Sequence, residues 1–379
     1  MKIILSKKGF DSSDGGVASP ILPDGTLLSL PILLSSPISY GELHINGHLP
    51  GRIAEDLTHG RITRRHGTHL DPDLTAGAYP RLPGWRPLFG QVGAAQSHLA
   101  HSGIAVGDLL LFFGWFRQTK MVGGRYRFVS QSPDLHVIFG WLQIGEIISV
   151  RRGGAPEWAM YHPHFHGEYA YNNTVYISRR NLQMDRVHPV AGAGAFSHYH
   201  DDLRLTMPGC PRTTWQLPRW FYPVAGKSPL RYHSNMQCWS LTDGHAILHS
   251  VARGQEFVLD ADQYPEAIAW ACNLILRRCQ PSGWGVQHDE MNRQRRSSSD
   301  MTTMGRRGPT SEARFPSRVS RPRVILGGSW CALRRPRESG LVKSSLFCTA
   351  CLNHLRCTST GRQVCHGLAR LWKAVRLLP

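Results

Sequence analysis

Histidine is the residue type that most invites a chemical reading of this chain, with 20 among 379 residues. Two runs set it beside other titratable or polar groups. His69-Leu70-Asp71-Pro72-Asp73 places an imidazole and two carboxylates at alternate positions. That spacing permits metal binding, but His and Asp beside Pro also cap and shape turns. Tyr161-His162-Pro163-His164-Phe165-His166 carries three imidazoles, again at alternate positions. If this run is extended, all three point to one side, because strand side chains alternate. Three imidazoles on one face form a zinc or iron ligand set. Against that, Pro163 interrupts a central strand, and the longer gap before a Glu that marks cupin-type sites is missing. Three readings stay open: a metal face, a polar surface touching a base, or a structural segment. A third run, His198-Tyr199-His200-Asp201-Asp202 with His245, His249 and Arg253 downstream, has the order of an iron- and 2-oxoglutarate-dependent facial triad. One His-x-Asp pair is expected by chance in so His-rich a chain. No metal ligand and no cofactor is therefore assigned. His162 and His164 are kept as acid–base groups, with Glu256 as their carboxylate.

A second set of residues suits a nucleic-acid base. Trp115 and Trp141 can stack on or wall a pocket, while Arg117, Gln91 and Gln96 offer donors to base or phosphate. Lys7 and Lys8 open a loop to Asp24 that is rich in Asp, Ser and Gly, a composition able to cradle an anion. Arg253 precedes Glu256 near the end of the patterned region. The segment Pro211 to Pro223 alternates aromatics with arginines, which fits base stacking or a loop packed on a core.

These residues need a frame, and the chain's most patterned stretch supplies it. Leu109–Phe116 and Val137–Ile148 are apolar, aromatic and β-branched, so both read as strands. Gln118–Pro133 between them holds Gly123-Gly124 and reads as a hairpin or edge strand. Phe113-Gly114-Trp115 is echoed by Phe139-Gly140-Trp141, and a strand glycine allows sharp coiling or close approach of another group. Met1–Leu5, Thr26–Leu34 and Asn173–Ser178 read as strands, and Trp239–Val251 as one or two more. Ile53–Leu57, Gly93–His101 and Glu266–Leu276 read as helices, the last begun by Asp262 and Pro265. Gly107-Asp108 leading into an apolar strand, with Ile144-Gly145-Glu146-Ile147 closing the next, resembles the small PUA-like and EVE-like barrels that hold bases. The expected class is α+β: a curled mixed or antiparallel sheet, or a PUA/EVE-like barrel, with a few helices.

Charge divides the chain. From residue 277 onward there are 20 basic and five acidic residues, a net of +15, against 24 and 21 before it. The same tail holds six of the nine cysteines and no tyrosine. Residues 1–276 are the expected domain. Residues 277–379 read either as a disordered basic arm or as out-of-frame or read-through sequence. Cys348, Cys351, Cys357 and Cys365 lack the paired short spacing of a zinc site. No run nears the roughly 18 apolar residues of a membrane helix, and the N-terminus is not ordered like a secretory signal. A cytoplasmic protein is the expectation.

As far as Leu276 the chain resembles the nucleotide modification associated domain 3 family. The phrases that carry this are MKIILSKKGFDSSDGGVASPILPDG, HLDPDL, GWRPLFGQVGAAQSHL, AVGDLLLFFGWFR, HVIFGWLQIGEI, ARGQEFVLD and YPEAIAWA. The resemblance implies a part in DNA base hypermodification, with DNA or a modified nucleotide as partner, and supplies no catalytic residues. Two roles follow as expectations: binding or helping to process a modified base, or acting on a nucleotide or modified base as an enzyme, with metal-dependent oxygenase-like chemistry as one form.

Overall fold

The structure is a computed structural model and describes residues 1–278 apart from 167, 168, 170, 243 and 252–255. The basic tail, its cysteines and Arg253 lie outside the described residues. In chain order the first elements are β1 (Lys2–Lys7), β2 (Ser19–Ile21), β3 (Ile32–Leu33), α1 (Pro50–Leu57), β4 (Thr68–His69), β5 (Leu88–Gln91) and α2 (Gly93–His101). The long hairpin follows as β6 (Leu109–Val122), β7 (Arg125–Phe128) and β8 (Leu135–Ser149). Then come β9 (Thr174–Ser178), β10 (Asn181–Gln183), β11 (Val187–Ala191), β12 (Ala193–Ala195) and β13 (Thr214–Pro218). The last are β14 (Trp239–Thr242), β15 (His245–His249), β16 (Glu256–Asp260) and α3 (Glu266–Arg278).

Nine strands form one mixed sheet along the path β16-β1-β6-β8-β9-β5, with β2 and β7 on β6 and β12 on β8. β1 runs parallel to β6, and β2 does too; the other pairings are antiparallel. The class is α+β, and the barrel alternative is not realised. Among the described residues β5 and β16 end the path without backbone pairing to each other. They meet instead through side chains, Gln91 of β5 donating to Glu256 of β16 at 2.6 Å.

Both faces of the central strands are covered, which explains why β6 is so continuously apolar. Phe112 meets Phe89 and Phe139, while Phe113 meets Trp215, Phe257 and His136. Adjacent strand residues face opposite sides, so these are two packing layers. Ala267, Ala271, Leu274 and Ile275 of α3 belong to the same core. The β6–β7 turn uses Gly123 and Gly124 at φ +56° and +73°, the pair of positive values a tight primed hairpin turn requires. Both glycines of the repeated Phe-Gly-Trp phrase serve close backbone approach. A Cβ on Gly114 would sit 2.8 Å from the Lys8 carbonyl, and one on Gly140 2.8 Å from the Gly194 carbonyl.

Two expectations need correction, and one open alternative is decided. Thr26–Leu34 is not one strand: Thr26 and Leu27 make isolated bridges to His198 and Ile21, Pro31 has no N–H to give a ladder, and Ile32–Leu33 pairs with β4. The His162–His166 run is not extended, because Pro163 begins a 3-10 turn at Pro163–Phe165; His162 and His164 are buried, and His166 is exposed. Of the two readings open for Pro211–Pro223, the one packed on the core holds, with Trp215 and Phe221 at 0% and 1% exposure.

Two outcomes are expected. Gly140→Ala should destabilise the fold by about 1–3 kcal/mol through overpacking. Gly77→Ala, where a Cβ meets nothing within 4 Å, should cost less than about 0.5 kcal/mol; denaturation midpoints compare the two. The second concerns His136, which is buried and accepts the Trp215 indole N–H at 3.0 Å. Burial, helped by the charges of Lys7 and Arg212, pushes its pKa down to about 3. The unfolded chain protonates this ring near its ordinary value of about 6.5. Below that pH the unfolded state holds one more proton, so stability is complete above about 6.5 and falls by about 1.4 kcal/mol per pH unit on acidification. Between pH 6 and 4.5, His136→Asn should therefore show a stability slope shallower by about one proton. Parallel slopes would disprove the assignment.

Candidate functional site

Asp71 is the centre of the site. Its chain leaves β4 and turns beneath β5, burying the carboxylate at 9% residue exposure. The two oxygens have different neighbours. Oδ1 accepts the Gly90 backbone N–H at 2.9 Å and lies 3.5 Å from His162 Nε2. Oδ2 faces His69 Nε2 at 3.3 Å and His164 Nε2 at 3.5 Å. Burial by itself would raise the Asp71 pKa, but interaction with His162, His164 and His69 outweighs it and holds the carboxyl well below the usual carboxylate range. His162, fully enclosed, is pushed down to about 4 by burial despite the adjacent carboxylate.

The local sequence explains how His164 arrives there. Its ring lies directly on the β5 backbone at Gly90, where any Cβ would fall 2.2 Å from His164 Cδ2. Its Nδ1 is 2.6 Å from Asn173 Oδ1, and the Asn173 amide nitrogen donates back to the His164 carbonyl at 2.8 Å. Tyr169 stacks on the outer face of the ring at 4.8 Å and an interplanar angle of 4°. The imidazole is thus clamped on three sides.

Above this floor opens a cleft of about 740 Å³, bounded by Lys7, Lys8, the 9–14 loop, Ile32, His69, Asp71, Gly90–Val92 and His164. Its volume falls in the range of small-molecule sites. On the wall toward β16, Glu256 is 1% exposed and takes Lys8 Nζ at 2.8 Å and Gln91 Nε2 at 2.6 Å on the same oxygen. Lys8 is therefore committed to a structural ion pair. Lys7 is freer, 3.7 Å from Asp11, and burial pushes its pKa down. The 9–14 loop is turned partly on itself, since Asp11 accepts the amides of Ser13 and Asp14 and the Ser13 hydroxyl. Those two amides do not line an anion cradle.

The structure thus brings Lys7, Lys8, Gln91, His164 and Glu256 together, with His162 behind Asp71. It leaves other expected residues elsewhere. Gln96 is buried and accepts the Tyr176 hydroxyl. Trp115 donates to Asp134 beneath the Arg212 guanidinium, and Arg117 bonds to Ser132 and Val129. Trp141 is buried against Phe196 and donates to the Ala191 carbonyl. Asp73 turns away to Arg81 at 2.7 Å and to the Tyr161 hydroxyl; burial raises its pKa to about 6. His200 and Asp202 are exposed. Among the described residues, the His/Cys/Asp/Glu groups close enough to hold a metal are His69-Asp71-His164 and Asp185-His188-Cys272. The oxygenase-like order His200-x-Asp202 does not assemble. His69 and Asp71 were visible in sequence as a His-x-Asp spacing, but their partners lie about a hundred positions away.

No curated protein and no solved structure matches the chain. Among the described residues no helix is long and apolar enough to cross a membrane. The family model for nucleotide modification associated domain 3 matches residues 2–260, from the first residue of β1 to the last of β16. That span contains the whole nine-stranded sheet, the Asp71 floor and the Glu256 wall. The chain belongs to the nucleotide modification associated domain 3 family.

Proposed function

We propose that the cleft holds a nucleotide, free or as a flipped base of DNA, and that the domain acts chemically on it. The observation that carries this is the composition of the floor. A passive base reader needs aromatic platforms and paired donors, and the two tryptophans that could have supplied platforms lie outside the cleft. What converges instead is a buried carboxylate with His69 and His164 around it, at the base of a cavity large enough for a nucleotide. Buried titratable groups drawn together in a cleft are a feature of catalytic sites.

Within this reading Lys7 meets phosphate at the mouth, because Lys8 is held by Glu256. Gln91 turns its amide nitrogen to Glu256 and its carbonyl to the Val92 amide, so it stiffens the wall rather than reading the base. The cleft is enclosed by the 9–14 loop on one side and β5 on the other. A base in duplex DNA would have to leave the stack to enter it.

Mononucleotides carrying natural or modified bases, and single-stranded DNA with the same bases, are the ligands to titrate by calorimetry. Lys7→Ala should weaken the 5′-monophosphate at least about tenfold, equivalent to about 1.4 kcal/mol and in the range for a charge-assisted hydrogen bond. It should leave the corresponding nucleoside nearly unaffected. Trp141→Phe should change neither. If Lys7→Ala and Tyr169→Ala both bind as wild type does, the cleft is not the nucleotide site.

A further inference from the structure

We infer that His69, Asp71 and His164 bind one divalent first-row transition metal at the floor of the cleft. This deepens the functional reading above by giving its site a ligand-binding centre, and it stands on four observations of its own.

The first is hydrogen placement. Asn173 donates its amide N–H to the His164 carbonyl, which turns its Oδ1 toward His164 Nδ1 at 2.6 Å. A flipped amide would set its oxygen against the His164 carbonyl, two acceptors facing each other. His164 Nδ1 therefore carries the hydrogen, and in the neutral ring Nε2 presents a bare lone pair to Asp71 Oδ2 at 3.5 Å. Two acceptors are aimed at one another, an arrangement that a cation between them satisfies. The second is the asymmetry of the carboxylate. Oδ1 is held by the Gly90 amide and sits beside His162, whose Nδ1 takes the His164 backbone N–H and whose Nε2 so carries the hydrogen. Oδ2 is left for the two imidazole nitrogens alone.

The third is distance. His69 and His164 lie 3.3 and 3.5 Å from Oδ2, longer than the roughly 2.7–2.9 Å of a charge-assisted hydrogen bond. Neighbouring ligands on a tetrahedral ion with bonds of about 2.0–2.2 Å are separated by about 3.3–3.6 Å. The fourth is support. A ligating histidine gives its other N–H to a carbonyl or carboxylate, and Asn173 fills that place. Gly90 leaves room for the ring, as no other residue would. Two imidazoles and one carboxylate make a nitrogen–oxygen donor set suited to zinc or iron(II). Three protein ligands leave a coordination position, and the cleft is where it opens. An oxygen of the bound nucleotide, or a water, can take it.

The test is a titration of the full chain after chelator treatment, using Co²⁺ as the optical probe and Zn²⁺ as competitor. Visible d–d bands of a four- or five-coordinate ion should grow to one equivalent per site, without thiolate charge-transfer absorption, and Zn²⁺ should abolish them. Asp71→Asn keeps an acceptor for the Gly90 amide, and His69→Ala removes a half-buried ring; each should bind one equivalent fewer than wild type. Zn²⁺ should raise the melting temperature of wild type more than that of either variant. Absence of saturable Co²⁺ binding in wild type overturns the assignment, and so does binding that survives both substitutions. Nucleotide titration in chelator tests the cleft separately, so the failure of one reading is distinguishable from failure of the other.

Discussion

A carboxylate taken out of water has to be paid for by neighbours that hold its charge, and that requirement organises this fold. Asp71 and Glu256 are both buried, and each draws partners from elements remote in sequence as well as near by. Asp71 takes the Gly90 amide of β5 and His162 at Oδ1, and faces His164 and His69 at Oδ2. Glu256 collects Lys8 at the end of β1 and Gln91 at the end of β5. Gln91 follows Gly90, so adjacent residues of one strand serve the two carboxylates. Losing any donor would leave a buried acceptor short of partners, which costs more than the bond itself contributes.

The same two centres explain where the sheet stops. A fully closed barrel would join β5 to β16 through backbone hydrogen bonds. Here, among the described residues, those edges meet through the Gln91–Glu256 hydrogen bond. Beyond that point α2 begins, and its Gln96 and Leu99 are buried. The opening so left between the β1 end, the 9–14 loop and β5 is the cleft. The site is thus a consequence of incomplete closure, with the polar groups placed where backbone pairing ends.

Much of the frame was legible because it rests on local pattern. The β6–β7–β8 run, α2 with Gly103 beyond it, and α3 behind Pro265 all follow from apolar periodicity and turn glycines. The glycines at 114 and 140 were readable as close-approach positions, although what approaches is backbone rather than ligand. The short strands β10, β11 and β13 were not legible, since three to five residues give no clear period. The site was half visible. Lys7 and Lys8 were named as opening an anion-cradling loop, Gln91 as a donor, and His164 and Glu256 as acid–base groups. Trp115 and Trp141, named as platforms, and Arg117, named as a donor, are tied to Asp134, Ala191 and Ser132. Asp71 looked like a turn residue, and it is one. Its second role depends on His164, more than ninety positions later, which reaches it only because Pro163 forces a 3-10 turn where an extended strand was expected.

Charge distribution bears on the proposed nucleotide reading. Before residue 277 basic residues outnumber acidic ones by only 24 to 21, and Lys8 is spent on Glu256. Nonspecific affinity for DNA arises from many phosphate contacts, and a nearly balanced domain supplies few. The strong positive excess lies in the sequence beyond residue 277, outside the span matched by the family. On the proposed reading, the cleft therefore selects by shape and by the chemistry of its floor, not by long-range attraction. A ligand entering it exchanges water for one cation at the mouth and a His–Asp cluster at the base. That combination rewards a small, phosphate-bearing group able to reach the floor, and gives little to an intact duplex lying across the surface.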